Sequence, residues 1–219
     1  MEHERRSYGQ YCGLAGALDV IGERWTLLII RELLIGPCRY NELLANLPGI
    51  GTNLLAARLK YLAKDGLIEV VPPDQNSKIK RYRLTDEGEA LREPVLGMAR
   101  WGLGRLDAPE VEEAVRPRWA MLAVEAMIDE RRAADLDESY EFDIDGEVFH
   151  VEARYGKVKV IPGPANQPVL TAQTDARTFV DIGAGRMDPL EATLTKRLVM
   201  EGDIEAILRC CRLLGLAPG

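Results

Sequence analysis

The chain has 219 residues, 47% hydrophobic and 29% charged, which describes a soluble globular protein with enough length for one or two domains, each with a real core. A net charge of −7 argues against indiscriminate nucleic-acid binding, and no run of about eighteen uncharged apolar residues marks a membrane span. The opening MEHERRSYGQ has no apolar stretch, so neither a signal peptide nor a membrane association is expected, and the expected location is cytoplasmic.

The charge is unevenly distributed. Residues 1–105 carry 15 Lys+Arg against 13 Asp+Glu, whereas the remainder carries 13 against 22. Within residues 39–83 eight basic residues face four acidic ones, so any DNA contact belongs to the first half. Cys12, Cys38, Cys210 and Cys211 form no CxxC pair and have no histidines at zinc-ligand spacing, so no structural metal site is expected.

In chain order, residues 8–21 read as a short helix with Cys12 near its start, weakened by Gly13 and Gly16. Residues 24–34 are apolar on most sides, which requires burial on more than one face. Gly36-Pro37 ends that helix. Tyr40, Leu43, Leu44 and Leu47 then recur at i, i+3, i+4 and i+7, a two-turn amphipathic helix.

A turn through residues 48–51 leads into a further helix, with Thr52 as the expected N-cap and Asp65-Gly66 as its end. Leu55, Leu59 and Leu62 form its apolar stripe, and Asn53, Ala56, Ala57, Lys60 and Lys64 its small, polar, basic opposite face. Helix, tight turn, helix is the layout of a helix-turn-helix, whose second helix enters the major groove. On its own the stretch reads more readily as an ordinary amphipathic surface helix than as a DNA-reading one.

Residues 68–71 and 79–84 alternate like strands around the turn-rich PPDQNSK. Lys78 and Lys80 fall near the hairpin tip, Arg81 and Arg83 outward, Tyr82 and Leu84 inward. A basic hairpin beside a helix-turn-helix is a wing, whose charges neutralise backbone phosphates. Thr85 opens another helix with Asp86 and Glu87 in its first turn, which Pro94 is expected to kink or divide.

These residues carry a resemblance. The strings Gly22-Glu23-Arg24-Trp25-Thr26, Ile30-Arg31-Glu32-Leu33, Arg39-Tyr40-Asn41-Glu42-Leu43, Leu55-Ala56-Ala57-Arg58-Leu59, Leu62-Ala63-Lys64-Asp65-Gly66-Leu67-Ile68, Tyr82-Arg83-Leu84-Thr85 and Gly88 resemble, in order, the HxlR-type winged helix-turn-helix regulators, relatives of the MarR group. The likeness covers residues 8–102. It implies a homodimeric transcription factor on a roughly palindromic double-stranded DNA operator.

By position, Thr52, Asn53, Ala57, Arg58 and Lys60 are the groove contacts, with Lys78, Lys80 and Arg81 on phosphates. Arg58, at the edge of the buried stripe, has an internal salt bridge as its alternative. Cys12 stands where a redox- or electrophile-sensing subset of these regulators carries its sensing cysteine; its alternative is a small buried apolar residue.

Residues 107–113, DAPEVEE, read as the linker, dividing a winged domain at 1–107 from a second domain at 108–219. Residues 118–132 are helical in pattern. The period then changes to two: residues 140–144 and 148–151 flank Asp145-Gly146-Glu147, a strong hairpin signal. Strands at 157–160 and 169–172 follow, then helices at 175–185, 189–197 and 203–214. The expected class is α+β, an N-terminal winged helix-turn-helix followed by an antiparallel sheet packed with helices.

The strand series, Thr171-Ala172-Gln173-Thr174-Asp175-Ala176-Arg177-Thr178-Phe179, Gly183-Ala184-Gly185 and Leu198-Val199-Met200-Glu201-Gly202-Asp203 resemble the sterol-carrier-protein-2-like domains over residues 116–215. That likeness implies an apolar cavity, with Phe142, Ile144, Phe149, Val151, Val160 and Phe179 as lining, and a hydrophobic small-molecule effector. A domain with a filled cavity that only dimerises is the alternative.

Glu141, Asp143, Asp145, Gly146 and Glu152 sit at EF-hand-loop positions, but the strand-like flanks argue against calcium. No nucleophile signature accompanies His150, so neither enzyme activity nor a cofactor is expected. The rival to a DNA-binding repressor is a lipid- or acyl-binding carrier whose helix-turn-helix makes protein contacts.

Overall fold

A computed structural model describes residues 7–72, 80–107 and 113–216 of the chain. It divides into two compact units, Met1–Val95 and Leu96–Gly219. Most of the proposed 107–113 linker, and Lys78, lie outside the described residues.

The first unit contains α1 (Gly13–Ile21), α2 (Thr26–Ile35), the two-residue strand β1 (Cys38–Arg39), α3 (Tyr40–Asn46), α4 (Thr52–Lys64), β2 (Ile68–Val71), β3 (Arg81–Leu84) and α5 (Asp86–Glu89). Helix α1 starts later than its composition indicates. Gly9 takes a left-handed φ of 64°, and the Tyr8 amide donates to the Asp19 carboxylate at 2.9 Å, folding the leading segment back over the helix. Helix α2 starts after Trp25, which is itself left-handed at φ 77°. It is buried on more than one side, with Ile29 and Ile30 fully enclosed, while Leu28 is exposed.

Thr52 is the first residue of α4 rather than its cap; Gly51, extended at φ −77°, ψ 148°, occupies that position. Leu55, Leu59 and Leu62 are the residues α4 buries. The wing pairs in the order β1-β3-β2, with Glu69 opposite Arg83 and Ile68 opposite Leu84. Strand β1 is too short to carry any period and is not legible from sequence; it sets Arg39 opposite Arg81.

Thr85 caps α5, accepting the Gly88 amide at 3.2 Å. The chain then breaks before Arg92, where α6 (Arg92–Leu103) begins. The stretch is thus divided as expected, just ahead of Pro94, which sits in the first turn of α6, where an amide has no helical acceptor to lose.

The second unit holds α7 (Trp119–Met127), a 3₁₀ turn (Glu130–Ala133), and strands β4 (Asp137–Ile144), β5 (Glu147–Arg154), β6 (Lys157–Pro162), β7 (Leu170–Thr174) and β8 (Leu198–Gly202). Helices α8 (Ala176–Gly183), α9 (Pro189–Leu194) and α10 (Ile204–Leu213) complete it. Asp145 (φ 49°) and Gly146 (φ 84°) form the two-residue β4–β5 turn, both left-handed as a type I′ hairpin requires.

The sheet runs β6-β5-β4-β7-β8 and is antiparallel except between β4 and β7, which are parallel. The antiparallel sheet packed with helices read from the sequence is thus present, with one parallel pairing inside it. One side of β4 is taken by its hairpin partner β5, so the chain leaving β6 must pass both strands to reach the other side and arrives parallel to β4. The crossing segment is pinned to the sheet: His150 Nδ1–H donates to the Gly163 carbonyl at 2.8 Å, and the Ala165 amide donates to Glu141 at 2.8 Å.

Two glycines give opposite expectations. A Cβ on Gly88 would collide with the Leu67 carbonyl oxygen and reach 2.9 Å from Leu84 Cδ2, whereas one on Gly97, in α6, meets nothing within 4 Å. Gly88→Ala should lower unfolding free energy by about 1–3 kcal/mol. Gly97→Ala should raise it by roughly 0.5–1 kcal/mol. Urea unfolding midpoints compare the two directly.

Candidate nucleic-acid interface and apolar cavity

The helix-turn-helix is aimed by its buried side. With Leu55, Leu59 and Leu62 turned inward, Thr52, Asn53, Ala56, Ala57, Lys60 and Lys64 are exposed on one small, polar, basic face of α4. Tyr40 Oη donates to the Thr52 carbonyl at 2.7 Å, tying α3 to the start of α4, and Tyr61 Oη donates to the Asp19 carbonyl at 3.3 Å, tying α4 to α1. A helix held at both ends presents its outer side chains without first having to order its backbone.

Arg58 is not on that open face. Its Nη2 bonds Glu23 Oε2 at 2.7 Å and it is only partly exposed, so the internal salt bridge is the arrangement adopted. Arg83 is likewise paired, with Glu69 at 2.6 Å across the wing. Lys80 and Arg81 are exposed. Among the groove and phosphate residues read from sequence, Thr52, Asn53, Ala57 and Lys60 thus share one surface, and Lys80 and Arg81 lie on the wing.

Cys12 is exposed and occupies the N-cap position of α1, with no capping hydrogen bond from its side chain. The amides of Ala15 and then Leu14 point at its sulfur and hold the thiol below its ordinary pKa. The buried-packing alternative for Cys12 is therefore overturned. Arg5 and Arg6 lie outside the described residues. Cys210 is the opposite case: enclosure in the second unit, reinforced by Cys211 and Glu138, pushes its pKa up, and Cys211 is raised by burial and by Asp188.

In the second unit one face of the sheet, carrying Phe142, Ile144, Phe149, Val151, Leu170 and Ala172, is buried. A cavity of about 60 Å³ lies there, walled by Phe142, Ile144, Phe179, Met127, Met200, Cys210 and other apolar side chains. Phe149, Val151 and Val160 do not line it. They belong to β5 and β6, at the far side of the sheet from β7 and β8, where Phe149 stacks on Phe142 at 5.4 Å between ring centroids.

An open cleft of about 450 Å³ adjoins, sharing Met127, Ile182, Gly183, Pro189, Leu214 and Leu216 with the cavity and adding Arg100 and Asp188. Ligand pockets span roughly 300–1,000 Å³. The enclosed space alone is below that range, so an occupant of ordinary size must extend into the cleft or displace the two methionines.

The acidic run of the hairpin is occupied by the fold. Asp143 accepts the Gly146 amide, Asp145 the Ala176 amide and Glu141 the Ala165 amide, each at 2.8 Å. Among the described residues no group of three or more His, Cys, Asp or Glu side chains could hold a metal ion, and no helix is long and apolar enough to cross a membrane.

Residues 20–109 match the HxlR-like helix-turn-helix family model, and residues 120–215 match that of the SCP-2 sterol transfer family. The chain is 38% identical over 93 residues to the uncharacterized HTH-type transcriptional regulator YvaP of Bacillus subtilis, spanning 84% of it and 42% of this chain. It is 36% identical over 89 residues to the HTH-type transcriptional regulator YodB of the same organism, spanning 79% of it and 40% of this chain. The chain belongs to the HxlR-like helix-turn-helix family, a group of transcriptional regulators.

It is also similar to the uncharacterized regulator Rv3095 of Mycobacterium tuberculosis, 40% identical over 94 residues, 43% of this chain and 59% of that one. Among solved structures, the redox regulator HypR in its oxidized form is 31% identical, with a TM-score of 0.42 over 44% of this chain and 99% of HypR.

The contrast between the cysteines is measurable. Thiol labelling of the folded protein should modify Cys12 first, its rate rising with pH through a midpoint below that of a free thiol, because only the thiolate reacts. Cys210 should label only on unfolding. Peptide mapping after timed alkylation reads both, and equal rates would contradict the assigned environments.

Proposed function

We propose that the chain is a cytoplasmic, homodimeric transcriptional repressor that binds an operator through α4 and the wing, and whose C-terminal unit senses a hydrophobic small molecule. In this reading the DNA-binding domain runs through α6 to residue 107 and the effector domain begins at 108, later in the chain than the 95/96 division of the compact units. The observation that carries the reading is the exposed face of α4: four of the five groove residues read from sequence, Thr52, Asn53, Ala57 and Lys60, lie together outside a stripe of buried leucines. Short or uncharged side chains at the first three positions let the helix backbone approach base edges, and Asn53 and Lys60 supply the donors. In a homodimer two such helices read half-sites one helical turn apart, about 34–36 Å.

Effector sensing rests on the SCP-2 likeness and on the apolar cavity with its adjoining cleft. A ligand there changes DNA binding only if it binds two arrangements of the dimer unequally. Cys12, exposed and acidified, is a second input of a different kind, sensitive to oxidants or electrophiles. The same cavity favours one rival, a lipid or acyl carrier whose helix-turn-helix contacts protein.

A mobility-shift assay on the chain's own upstream DNA separates the two readings. Salt-sensitive, sequence-preferring retardation is expected, and Asn53→Ala should weaken it by about 1–3 kcal/mol. No binding there or in a genomic-site selection leaves the carrier reading. Native mass spectrometry should reveal a co-purified apolar molecule. Oxidant should alter retardation in the wild type but not in Cys12→Ser; identical responses exclude the sensor role.

A further inference from the structure

The five-stranded sheet of the second unit has two edges, and they are built differently. At one edge β6 carries Lys157, Lys159 and Pro162. Lysine and proline on an edge strand are devices against pairing with another chain. At the other edge β8 reads Leu198-Val199-Met200-Glu201-Gly202 and carries neither. Along one side β8 is bonded to β7, and among the described residues no other backbone hydrogen bond reaches it. Its outer row of amides and carbonyls is left to solvent or to another strand.

The surroundings of that edge are apolar. Helices α9 and α10 both pack against β8. Across these three elements Leu190, Leu194, Val199, Ile204 and Leu208 are each 45–75% exposed. Large apolar side chains concentrated at an unguarded edge mark a contact surface.

The charges at the two ends of the strand identify what makes the contact. Lys196 and Arg197 lead into β8, while Glu201, Asp203 and Glu205 close it and open α10; all five are exposed. Arg197 Nε donates to Thr178 Oγ1 at 3.2 Å, and Glu205 stands 3.7 Å from Arg209. Asp203, at the N-cap position of α10, makes no capping hydrogen bond with its side chain. One end of the edge is thus cationic and the other anionic. A surface of a single charge sign, such as an anionic bilayer, would attract one end and repel the other. A second copy of the edge, turned about a two-fold axis, attracts at both.

We infer that β8 pairs antiparallel with β8 of a second copy of the chain, joining the two sheets edge to edge. Directly opposed residues share a face of the sheet, so the register that uses the whole strand is centred on Met200. It sets Val199 opposite Glu201 of the partner subunit and Arg197 opposite Asp203 of the partner subunit. The inference rests on the homodimer reading above and gives that dimer a contact surface in the second unit. It also joins sensing to assembly. Leu198 and Met200 wall the apolar cavity, so an occupant that displaces Met200 acts on the residue at the two-fold axis.

The test is intermolecular disulfide formation in the full chain, in a Cys12→Ser background that removes the exposed native thiol. Opposed Cα atoms in an antiparallel pair stand about 4.5–5.5 Å apart, inside the range a disulfide spans. Under mild oxidation Val199→Cys/Glu201→Cys should give a covalent dimer on non-reducing electrophoresis, with peptide mapping that joins residue 199 to residue 201. Lys157→Cys/Lys159→Cys, at the guarded edge, should remain a single chain. Added to the β8 cysteine variant, Arg197→Glu or Asp203→Arg should slow cross-linking about fivefold, since a two-fold axis counts each pair twice, and the two reversals together should restore it. Restoration separates loss of the contact from loss of the fold. A β8 variant that sediments as a dimer yet forms no covalent dimer, cross-linking at both edges alike, or charge reversals that leave the rate unchanged would each overturn this interface and leave the homodimer reading standing. A wild-type chain that sediments as a monomer at every concentration, with no cross-linking in the cysteine variant, would overturn both.

Discussion

Burial of three leucines in α4 is the constraint from which the first unit follows. Leu55, Leu59 and Leu62 are essentially fully enclosed, together with Ile29, Ile30, Leu43 and Leu47 from the preceding helices. Each such side chain is worth roughly 1.5–3 kcal/mol. The Arg58–Glu23 pair on the same helix is partly solvated and belongs to a class worth about 0.2–1 kcal/mol. The leucines therefore fix which way the helix faces, and the ion pair settles only where one side chain rests. Everything proposed for the outer face depends on that azimuth.

The second unit solves a different packing problem. Strict alternation along β4 puts Tyr140, Phe142 and Ile144 under the helices while Glu141 and Asp143 face the crossing segment. The polar face is thus used structurally: His150, Glu141, Asp143 and Asp145 each bond backbone, which explains why an acidic run with EF-hand spacing is a hairpin. The apolar face is less completely filled near β7 and β8, where small Ala172 lies beside Met200 in the register. The cavity forms there, whereas at β5 and β6 Phe149 stacks on Phe142 and Val151 pairs with Val160.

What was legible from sequence follows from the range of each signal. Helix period, turn chemistry and hairpin turns are local, and they placed α2, α3, α4, the β4–β5 turn and the Thr85 cap correctly to within a residue or two. The parallel pairing of β4 with β7 was not legible, because it depends on which side of β4 remains open after the hairpin forms. Strand β1 was missed because two residues have no period; the doubled positive charge of Arg39 and Arg81 across it exists only once the register is known. Of the residues read as cavity lining, Phe142, Ile144 and Phe179 border the cavity and Phe149, Val151 and Val160 do not, for a similar reason. Alternation identifies the buried face of a sheet, but where that face is underfilled depends on the sizes of residues brought opposite one another.

The electrostatics turn on the same distinction between composition and placement. At physiological salt, charges more than about 8 Å apart through solvent are largely screened. The net charge of −7 therefore constrains long-range association more than it constrains the surface at α4. At that surface the fold consumes cations: Arg58 goes to Glu23 and Arg83 to Glu69, while Lys60, Lys80 and Arg81 remain exposed. A binding surface with few cations gains little from non-specific phosphate attraction, which scales with the number of phosphates neutralised. On the DNA-binding reading proposed above, discrimination between sequences comes mainly from the short polar side chains on α4, and the backbone contacts hold that helix in register.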